Sequence, residues 1–324
     1  MKGTELTGGE PGRPEEIRAV PVRRPGRWLA AFVVLVVSAS LVRFAVTDPD
    51  VGWHYVGEYL FDPRVIHGVI DCVYLTVAAM LTGVILGVIL AVMALSPNPI
   101  LKSASWIYIF FFRGTPLLVQ IVLWYNIAAL FPGHVIAIGI PFGPALVHPD
   151  ANKLITVFVA AWLALGFNEG AYMAEIVRAG IISVDEGQSE AAGSLGMTRV
   201  QIMRHIVLPQ ALRVILPPTG NEAISMLKNS SLASVIGFAE IYYETSAIYA
   251  QNFQTVPLLI VASIWYLVLT SVAYVGQYFL ERKAGQGFSR AQRATMWERW
   301  FALSAGGDGR FGPGGFDYRG WYRR

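Results

Sequence analysis

Long apolar runs alternate with short polar segments from about residue 28 to residue 282. A helix that crosses a bilayer needs about 20 predominantly apolar residues, and most of these runs reach or exceed that length. The predicted spans are residues 28–42, 66–95, 106–130, 154–182, 212–241 and 256–280. The pattern therefore predicts an all-α, polytopic membrane protein with about six transmembrane helices.

Composition supports a membrane protein and excludes several chemistries. Hydrophobic residues make up 54% of the 324-residue chain and charged residues 15%, against about 25% charged residues in soluble domains. The one cysteine, Cys72, excludes an intrachain disulfide and a cysteine-based metal cluster. The sequence has no GxxxxGK[ST], HExxH or GxSxG motif, and its five histidines lack metal-ligand spacing. We therefore expect no ATPase site, no catalytic residues, no metal site and no cofactor.

Polarity divides the chain into five parts. Residues 1–27 are polar and predict a flexible cytoplasmic tail, and residues 28–46 predict an additional N-terminal transmembrane helix. A signal peptide is the alternative for this region, but the polar lead is long and lacks a clear small-x-small cleavage site. Residues 47–65 predict an extracytoplasmic amphipathic segment, residues 66–282 the main transmembrane domain, and residues 283–324 a cytoplasmic tail rich in Gly and Arg.

The distribution of basic residues predicts the orientation. Cytoplasmic segments of membrane proteins are enriched in Lys and Arg. With both termini in the cytoplasm, all 25 Lys and Arg residues lie on inner segments except Arg43, Arg64, Lys153 and Lys228. We therefore expect a multi-pass protein of the plasma or inner membrane whose N- and C-termini are cytoplasmic.

The second span contains a stripe of small residues. Ala79, Gly83, Gly87 and Ala91 recur every four positions, and residues four apart lie on one face of a helix. Small side chains let two helix backbones approach closely. The stripe predicts a tight helix contact.

The polar segment 183–210 carries the signals of two short helices. Ser183 with Glu186, and Thr198 with Gln201, match the capping box that begins a helix. Gly196 lies between them, at a position typical of a helix end. We therefore expect a tight bend between two cytoplasmic helices.

These helices have the features of a docking element. The first is expected to expose Glu190, Ala191 and Ala192, whose small side chains permit close approach while the carboxylate orients a partner. Pro209 is expected to close the second helix. The second helix carries an apolar face formed by Ile202, Met203, Ile206 and Leu208.

This segment resembles the EAA loop of ABC importer permeases. The resemblance rests on the spacing of Glu190, Ala191, Ala192, Gly196, Ile206, Leu208 and Pro209. In that family the loop inserts into a cleft of the ATPase subunit and couples nucleotide-driven closure to the spanning helices. The resemblance implies the same coupling role here.

Further segments resemble the polar amino-acid permeases of the histidine, glutamine and arginine type. They are FRGTPLLVQ at 112–120, GAYMAEIVRAGI at 170–181, PPTGNE at 217–222 and LKNSSL at 227–232. The resemblance covers residues 65–282 and implies an ABC type I importer permease fold with cytoplasmic coupling helices. It also implies partners: an ABC ATPase dimer, a second permease copy or homologue, an extracytoplasmic solute-binding protein and a polar amino-acid substrate, besides membrane lipids and without nucleic acid.

Polar residues inside predicted spans are candidate substrate contacts, because such residues are costly in a membrane and usually functional. We expect two facing helical stripes to line a substrate path, where carboxylates bind an amino group and amides or Lys bind a carboxylate. The candidates are Asn168, Glu169, Tyr172, Asn221, Glu222, Ser225 and Lys228.

Structural roles are open for some of these positions. For Glu222 the alternatives are a capping box with Thr219 and a structural pair with Lys228. Arg113 and Glu175 are candidates for gating or subunit contact, and snorkelling of Arg113 to the membrane surface is the alternative.

The sequence therefore predicts the permease subunit of an ATP-driven importer of polar amino acids. The alternative is a secondary amino-acid transporter or channel that works alone, since intramembrane Glu and Lys also suit ion coupling. The docking element distinguishes the two, because a self-sufficient carrier has no need of it.

Overall fold

A computed structural model of the chain describes residues 25–48, 51–130, 138–139, 145–147 and 150–284. Helix α1 (Pro25–Thr47) belongs to one compact unit, and the chain from His54 onward forms a second. The predicted tails at 1–27 and 283–324 lie almost entirely outside the described residues. The other helices are α2 (Trp53–Tyr59), α3 (Pro63–Leu95), α4 (Pro99–Gly114), α5 (Leu117–Tyr125), α6 (Ala151–Leu154), α7 (Val157–Ile182), α8 (Glu186–Ser194), α9 (Arg199–Ile202), α10 (Leu208–Asn229), α11 (Ile241–Asn252) and α12 (Thr255–Ala284).

The described chain is almost entirely helical, which confirms the predicted fold class. Two short strands, β1 (Ile138–Gly139) and β2 (Ala145–Val147), pair in antiparallel fashion. Short 3₁₀ segments follow α5 at Ile127–Leu130 and α10 at Ser230–Ile236. The strands were not expected from the sequence.

Three helices are long and apolar enough to cross a membrane within the described part of the chain. They are α3, α7 and most of α12, and they match three of the predicted spans. Helix α1 contains a shorter apolar stretch, Trp28–Phe44. The total of six spans stays a prediction.

The predicted span at 106–130 is not one continuous helix, because the helix breaks at Pro116. Helices α4 and α5 meet at 101°. Proline disfavours helical backbone angles at the residue before it, and Thr115 accordingly has the extended values φ −109° and ψ 141°. We call residues 113–117 the elbow.

Close contact between α3 and α7 forms the centre of the fold. The predicted small-residue stripe on α3 is buried at all four positions. A Cβ atom placed on Gly87 would lie 2.3 Å from the Cβ atom of Met173, and one on Gly83 would lie 2.4 Å from Cγ of Glu169. The stripe therefore makes the tight helix contact that the sequence predicts.

The second helix predicted in segment 183–210 does not end at Pro209. Helix α9 continues through a π-helical turn, Met203–Val207, into α10, where Pro209 occupies the first turn. Within this turn the amide of Leu208 donates to the carbonyl oxygen of Met203, five residues earlier. A π turn shifts the hydrogen-bond register by one residue and accommodates the proline, which has no N–H group.

We expect the variant Gly87→Ala to lower the free energy of unfolding by about 1–3 kcal/mol, because the added methyl group overpacks the α3–α7 contact. Thermal unfolding of the purified protein in detergent measures the change. Gly276→Ala on α12 is the matched control, since its Cβ atom would meet nothing within 4 Å. Equal stability of the two variants would contradict the close approach of α3 and α7.

Candidate functional site

A cavity of about 540 Å³ lies where the elbow faces α7 and α10. Its volume falls within the range of about 300–1,000 Å³ that is typical of small-molecule sites. Polar groups predominate around it, and four apolar side chains complete the wall. The lining residues are Arg113, Gly114, Thr115, Pro116, Leu117, Asn168, Glu169, Tyr172, Glu222, Met226, Asn229 and Leu232.

Glu169 is the most deeply buried charged side chain in the cavity wall. The residue is only 3% exposed, and its Oε1 atom has no hydrogen-bond partner. Gly83 on α3 provides the space for its Cβ and Cγ atoms. A buried carboxyl oxygen without a partner is costly, so this arrangement is typical of a group that binds a ligand.

Asn168 joins α7 to the elbow. Its Nδ2 atom donates to the carbonyl oxygen of Phe112 at 2.9 Å and to Oε1 of Gln120 at 3.3 Å. One turn further along α7, the guanidinium carbon of Arg113 lies 5.1 Å from the ring centroid of Tyr172, a cation–π contact. The elbow and α7 are therefore linked on both sides of Glu169.

Helix α10 presents Glu222, Met226 and Asn229 to the cavity. The stripe predicted from the sequence, Asn221, Ser225 and Lys228, is displaced from this one by a single residue, about 100° around the helix. Its members are not among the lining residues. Asn221 accepts a hydrogen bond from Gln277, Ser225 is half-buried, and Lys228 is exposed.

The structural alternatives for Glu222 do not apply. Helix α10 runs without interruption through Pro217 and Pro218, and the hydroxyl of Thr219 donates to the carbonyl oxygen of Ile215. No helix therefore begins at Thr219. Among the described residues, the ion pairs are Arg64–Asp62 and Arg178–Glu175, so Glu222 and Lys228 do not form one.

Glu175 lies away from the cavity wall. Its Oε2 atom accepts a hydrogen bond from Arg178 at 2.6 Å, and both side chains are about one-third exposed. Exposed pairs of this kind contribute about 0–1 kcal/mol to stability. Glu175 and Arg178 therefore each have an oppositely charged partner on the same helix.

The predicted bend between α8 and α9 is present. Gly196 has φ +82°, the left-handed conformation that favours glycine. The capping box of Thr198 and Gln201 is also present, with the amide of Thr198 donating to Oε1 of Gln201 at 2.8 Å. The other predicted box is wrong: Asp185, rather than Ser183, caps α8 by accepting from the amide of Gly187. The hydroxyl of Ser183 instead donates to Gly180 at the end of α7.

Exposed side chains surround this bend. Glu190 and Ala191 are exposed, whereas Ala192 is buried and anchors α8. Leu195 is 84% exposed and Val200 is 75% exposed, and two large apolar side chains next to one bend favour a protein contact. The remaining residues of the motif, Ile206, Leu208 and Pro209, lie on the π turn and the start of α10, where Ile206 is half-buried and the other two are exposed.

Comparison with known families decides the identity. Residues 83–286 match the family described as binding-protein-dependent transport system inner membrane component. The chain belongs to this family. It is therefore a membrane permease component of a binding-protein-dependent transport system.

Relatives match the permease over most of its length. The arginine transport system permease protein ArgU of Corynebacterium glutamicum is 42% identical over 304 residues, which cover 93% of this chain and 92% of ArgU. The probable amino-acid permease protein YxeN of Bacillus subtilis is 36% identical over 68% of this chain and 91% of its own.

Solved structures agree with the fold of the permease. An amino acid ABC transporter crystallised with histidines is 40% identical, with a TM-score of 0.57, over 68% of this chain and 94% of its own. The methionine ABC transporter MetNI in an inward-facing conformation shares the fold at 17% identity, with a TM-score of 0.51, over 68% of this chain and 95% of its own.

Two buried glutamates in different environments give a test of the site. We expect Glu169→Met to raise the free energy of unfolding by about 1–3 kcal/mol, because it removes a buried polar group that has no partner. Glu240→Met is the control. The carboxylate of Glu240 is fully buried and accepts hydrogen bonds from the amides of Tyr242 and Tyr243 and from the hydroxyl of Tyr266.

Glu240→Met is therefore expected to lower the free energy of unfolding by a similar amount, about 1–3 kcal/mol. Thermal unfolding without substrate measures both variants. A loss of stability in Glu169→Met as large as that in Glu240→Met would show that Glu169 is a structural residue.

Proposed function

We propose that this chain is the membrane-spanning subunit of an ATP-driven importer of polar amino acids, and that its preferred substrates are cationic. The observation that carries the proposal is the charge pattern of the cavity, in which two carboxyl groups and one guanidinium group line the same space. A relative that matches over most of both chains is named an arginine permease.

The charges of the cavity complement those of a cationic amino acid. Such a substrate carries two positive groups, the α-ammonium and the side chain, and one negative carboxylate. Glu169 and Glu222 supply two acidic partners, and Arg113 supplies a basic one. A neutral amino acid would leave one carboxyl group of the cavity without a partner, which disfavours its binding.

The elbow provides donors for the substrate carboxylate. Helix α5 begins directly after Pro116, and no side chain caps its N-terminus. The first amides of a helix lack intrahelical partners and favour anions. Arg113 and the start of α5 therefore form the carboxylate-binding wall, and Glu169 forms part of the opposite, cation-binding wall.

The bend at Gly196 is the ATPase docking element in this proposal. Glu190, Ala191, Leu195 and Val200 expose a charge, a small side chain and two apolar side chains around one turn. From this bend one helical path runs through α9, the π turn and α10 to the cavity residues Glu222, Met226 and Asn229. Movement of the docking element is thereby transmitted to a wall of the cavity.

The proposal includes a second permease subunit, either a copy or a homologue. Lys228 is exposed on α10, next to the cavity-lining stripe. A charged side chain at membrane depth requires protein or water around it rather than lipid. A second subunit against this face of α10 meets that requirement.

The full assembly then contains an ABC ATPase dimer and an extracytoplasmic solute-binding protein, and both termini of this chain are cytoplasmic. The sequence contains no phosphate-binding loop of its own, so a partner hydrolyses ATP. The secondary-carrier alternative is not favoured, because the family is defined by binding-protein-dependent systems. Co-purification from membranes tests the assembly: recovery without any ATPase, combined with transport in liposomes without ATP, would contradict it.

We expect Gly196→Val to abolish substrate-stimulated ATP hydrolysis, because a β-branched residue at φ +82° is strained and distorts the docking bend. The assay uses the reconstituted complex with its binding protein. Gly193→Val is the matched control, since it lies at the end of α8 with open space at its Cβ position. Normal substrate-stimulated ATP hydrolysis in the Gly196→Val variant would contradict the docking role of the bend.

We expect arginine and other cationic amino acids, rather than glutamine, to stimulate hydrolysis and transport. Glu169→Gln should reduce arginine transport by about tenfold or more, because loss of one partner of a buried charge pair costs about 2–5 kcal/mol. Glu58→Gln, an exposed position on α2 away from the cavity, is the control. Equal stimulation by glutamine and arginine, or unchanged transport in Glu169→Gln, would contradict the substrate assignment.

A further inference from the structure

Gln120 is a buried amide just outside the cavity wall. It lies on α5, one turn after the elbow, and is 3% exposed. Its Nε2 atom lies 2.9 Å from the carbonyl oxygen of Phe112, 3.1 Å from that of Thr115 and 2.7 Å from Oγ1 of Thr115. Its Oε1 atom accepts a hydrogen bond from Asn168. All of its polar atoms therefore have partners.

The sequence explains why an amide is needed at this position. In a continuous helix the carbonyl oxygen of Phe112 would accept from the amide of residue 116, but Pro116 has no N–H group. Two side-chain amides, from Gln120 and Asn168, donate to that oxygen instead. Buried backbone groups require such partners, so the break at Pro116 depends on these two residues.

The same amides join the two walls of the cavity. Thr115 and its neighbours form the elbow wall, and Asn168 directly precedes Glu169 on α7. Gln120 holds Thr115 with its nitrogen and Asn168 with its oxygen. Its side chain thus spans from the wall that carries Arg113 to the wall that carries Glu169, without being a lining residue itself.

We propose that Gln120 is a positioning residue that sets the separation between the carboxylate-binding and cation-binding walls of the cavity. It thereby determines the affinity for substrates that contact both walls at once. This inference rests on the proposed function of the cavity.

A pair of ligands separates positioning from general stability. Arginine has both a carboxylate and cationic groups, whereas agmatine is the same molecule without the carboxylate. The affinity of a ligand that contacts both walls depends on the separation between the walls. The affinity of a ligand that contacts only the acidic groups does not. If Gln120 had a purely structural role, its substitution would weaken the binding of both ligands to the same extent.

The experiment is equilibrium binding of radiolabelled arginine and agmatine to the permease–ATPase complex in nanodiscs, without binding protein. Gln120→Glu keeps the shape of the side chain but removes its N–H donors. Gln120→Met keeps the side-chain volume without burying a charge. Asn126→Asp is the matched control, because it makes the same amide-to-acid change next to α5, where the amide donates to the carbonyl oxygen of Val122.

We expect both Gln120 variants to weaken arginine binding by about tenfold, the size of effect that about 1.4 kcal/mol from one or two lost hydrogen bonds produces. Agmatine binding and the Asn126→Asp variant should stay within about twofold of wild type. Unchanged arginine binding, or an equal loss for both ligands, would overturn the positioning role. Failure of both Gln120 variants to form the complex would also overturn it, because Gln120 would then be required for folding.

Glu169→Gln in the same assay separates this inference from the proposal on which it rests. If Glu169→Gln loses arginine binding and the Gln120 variants do not, only the positioning role fails. If the wild-type complex binds no arginine, the proposed substrate path fails, and the positioning role fails with it.

Discussion

A backbone N–H or C=O group in hydrocarbon must find its hydrogen-bond partner within the protein, because no water is available. This constraint explains how the chain accommodates its prolines. At Pro116, side-chain amides replace the missing donor; before Pro209, a π turn shifts the register. These two repairs fix features that a regular helix would not have, a bend at Pro116 and a shifted register before Pro209.

The cavity exists because of one of these repairs and one close helix contact. The break at Pro116 turns α5 away from α4 and leaves an uncapped helix start beside α7. The glycine at position 83 lets α3 approach α7 closely enough to enclose the stem of Glu169. An acidic group can then remain buried with an unpaired oxygen, since the surrounding contacts keep α7 in place.

Much of this architecture could be predicted from the sequence, and the exceptions have physical causes. The small-residue stripe, the capping box at Thr198 and the left-handed Gly196 follow from local rules, and the structure confirms them. The path through Pro209 could not be predicted, because a π turn has no clear sequence signal and proline normally ends a helix. On α10 the cavity-lining residues Glu222, Met226 and Asn229 have the same helical spacing as the predicted stripe Asn221, Ser225 and Lys228. The spacing alone therefore does not distinguish the two neighbouring faces of the helix.

Gln120 was part of a recognised segment, but its role could not be read from the sequence. Its partners Phe112 and Asn168 come from two other helices, and only the three-dimensional arrangement brings them together. The orphaned carbonyl oxygen was nevertheless detectable in principle, because a proline at position 116 leaves the acceptor four residues earlier without a donor. The sequence therefore identifies the acceptor that needs a partner, but not the side chain that supplies it.

The helical path from Arg199 to Asn229 is continuous, and its length has a consequence. At 1.5 Å per residue it extends over roughly 45 Å, which exceeds the hydrocarbon thickness of about 30 Å. In the proposed function, the end of this path at Arg199 lies in water at the docking bend, and the end at Asn229 lies at the cavity. A rotation or tilt applied at the docking bend would then reach Glu222 and Asn229 along one continuous helical path.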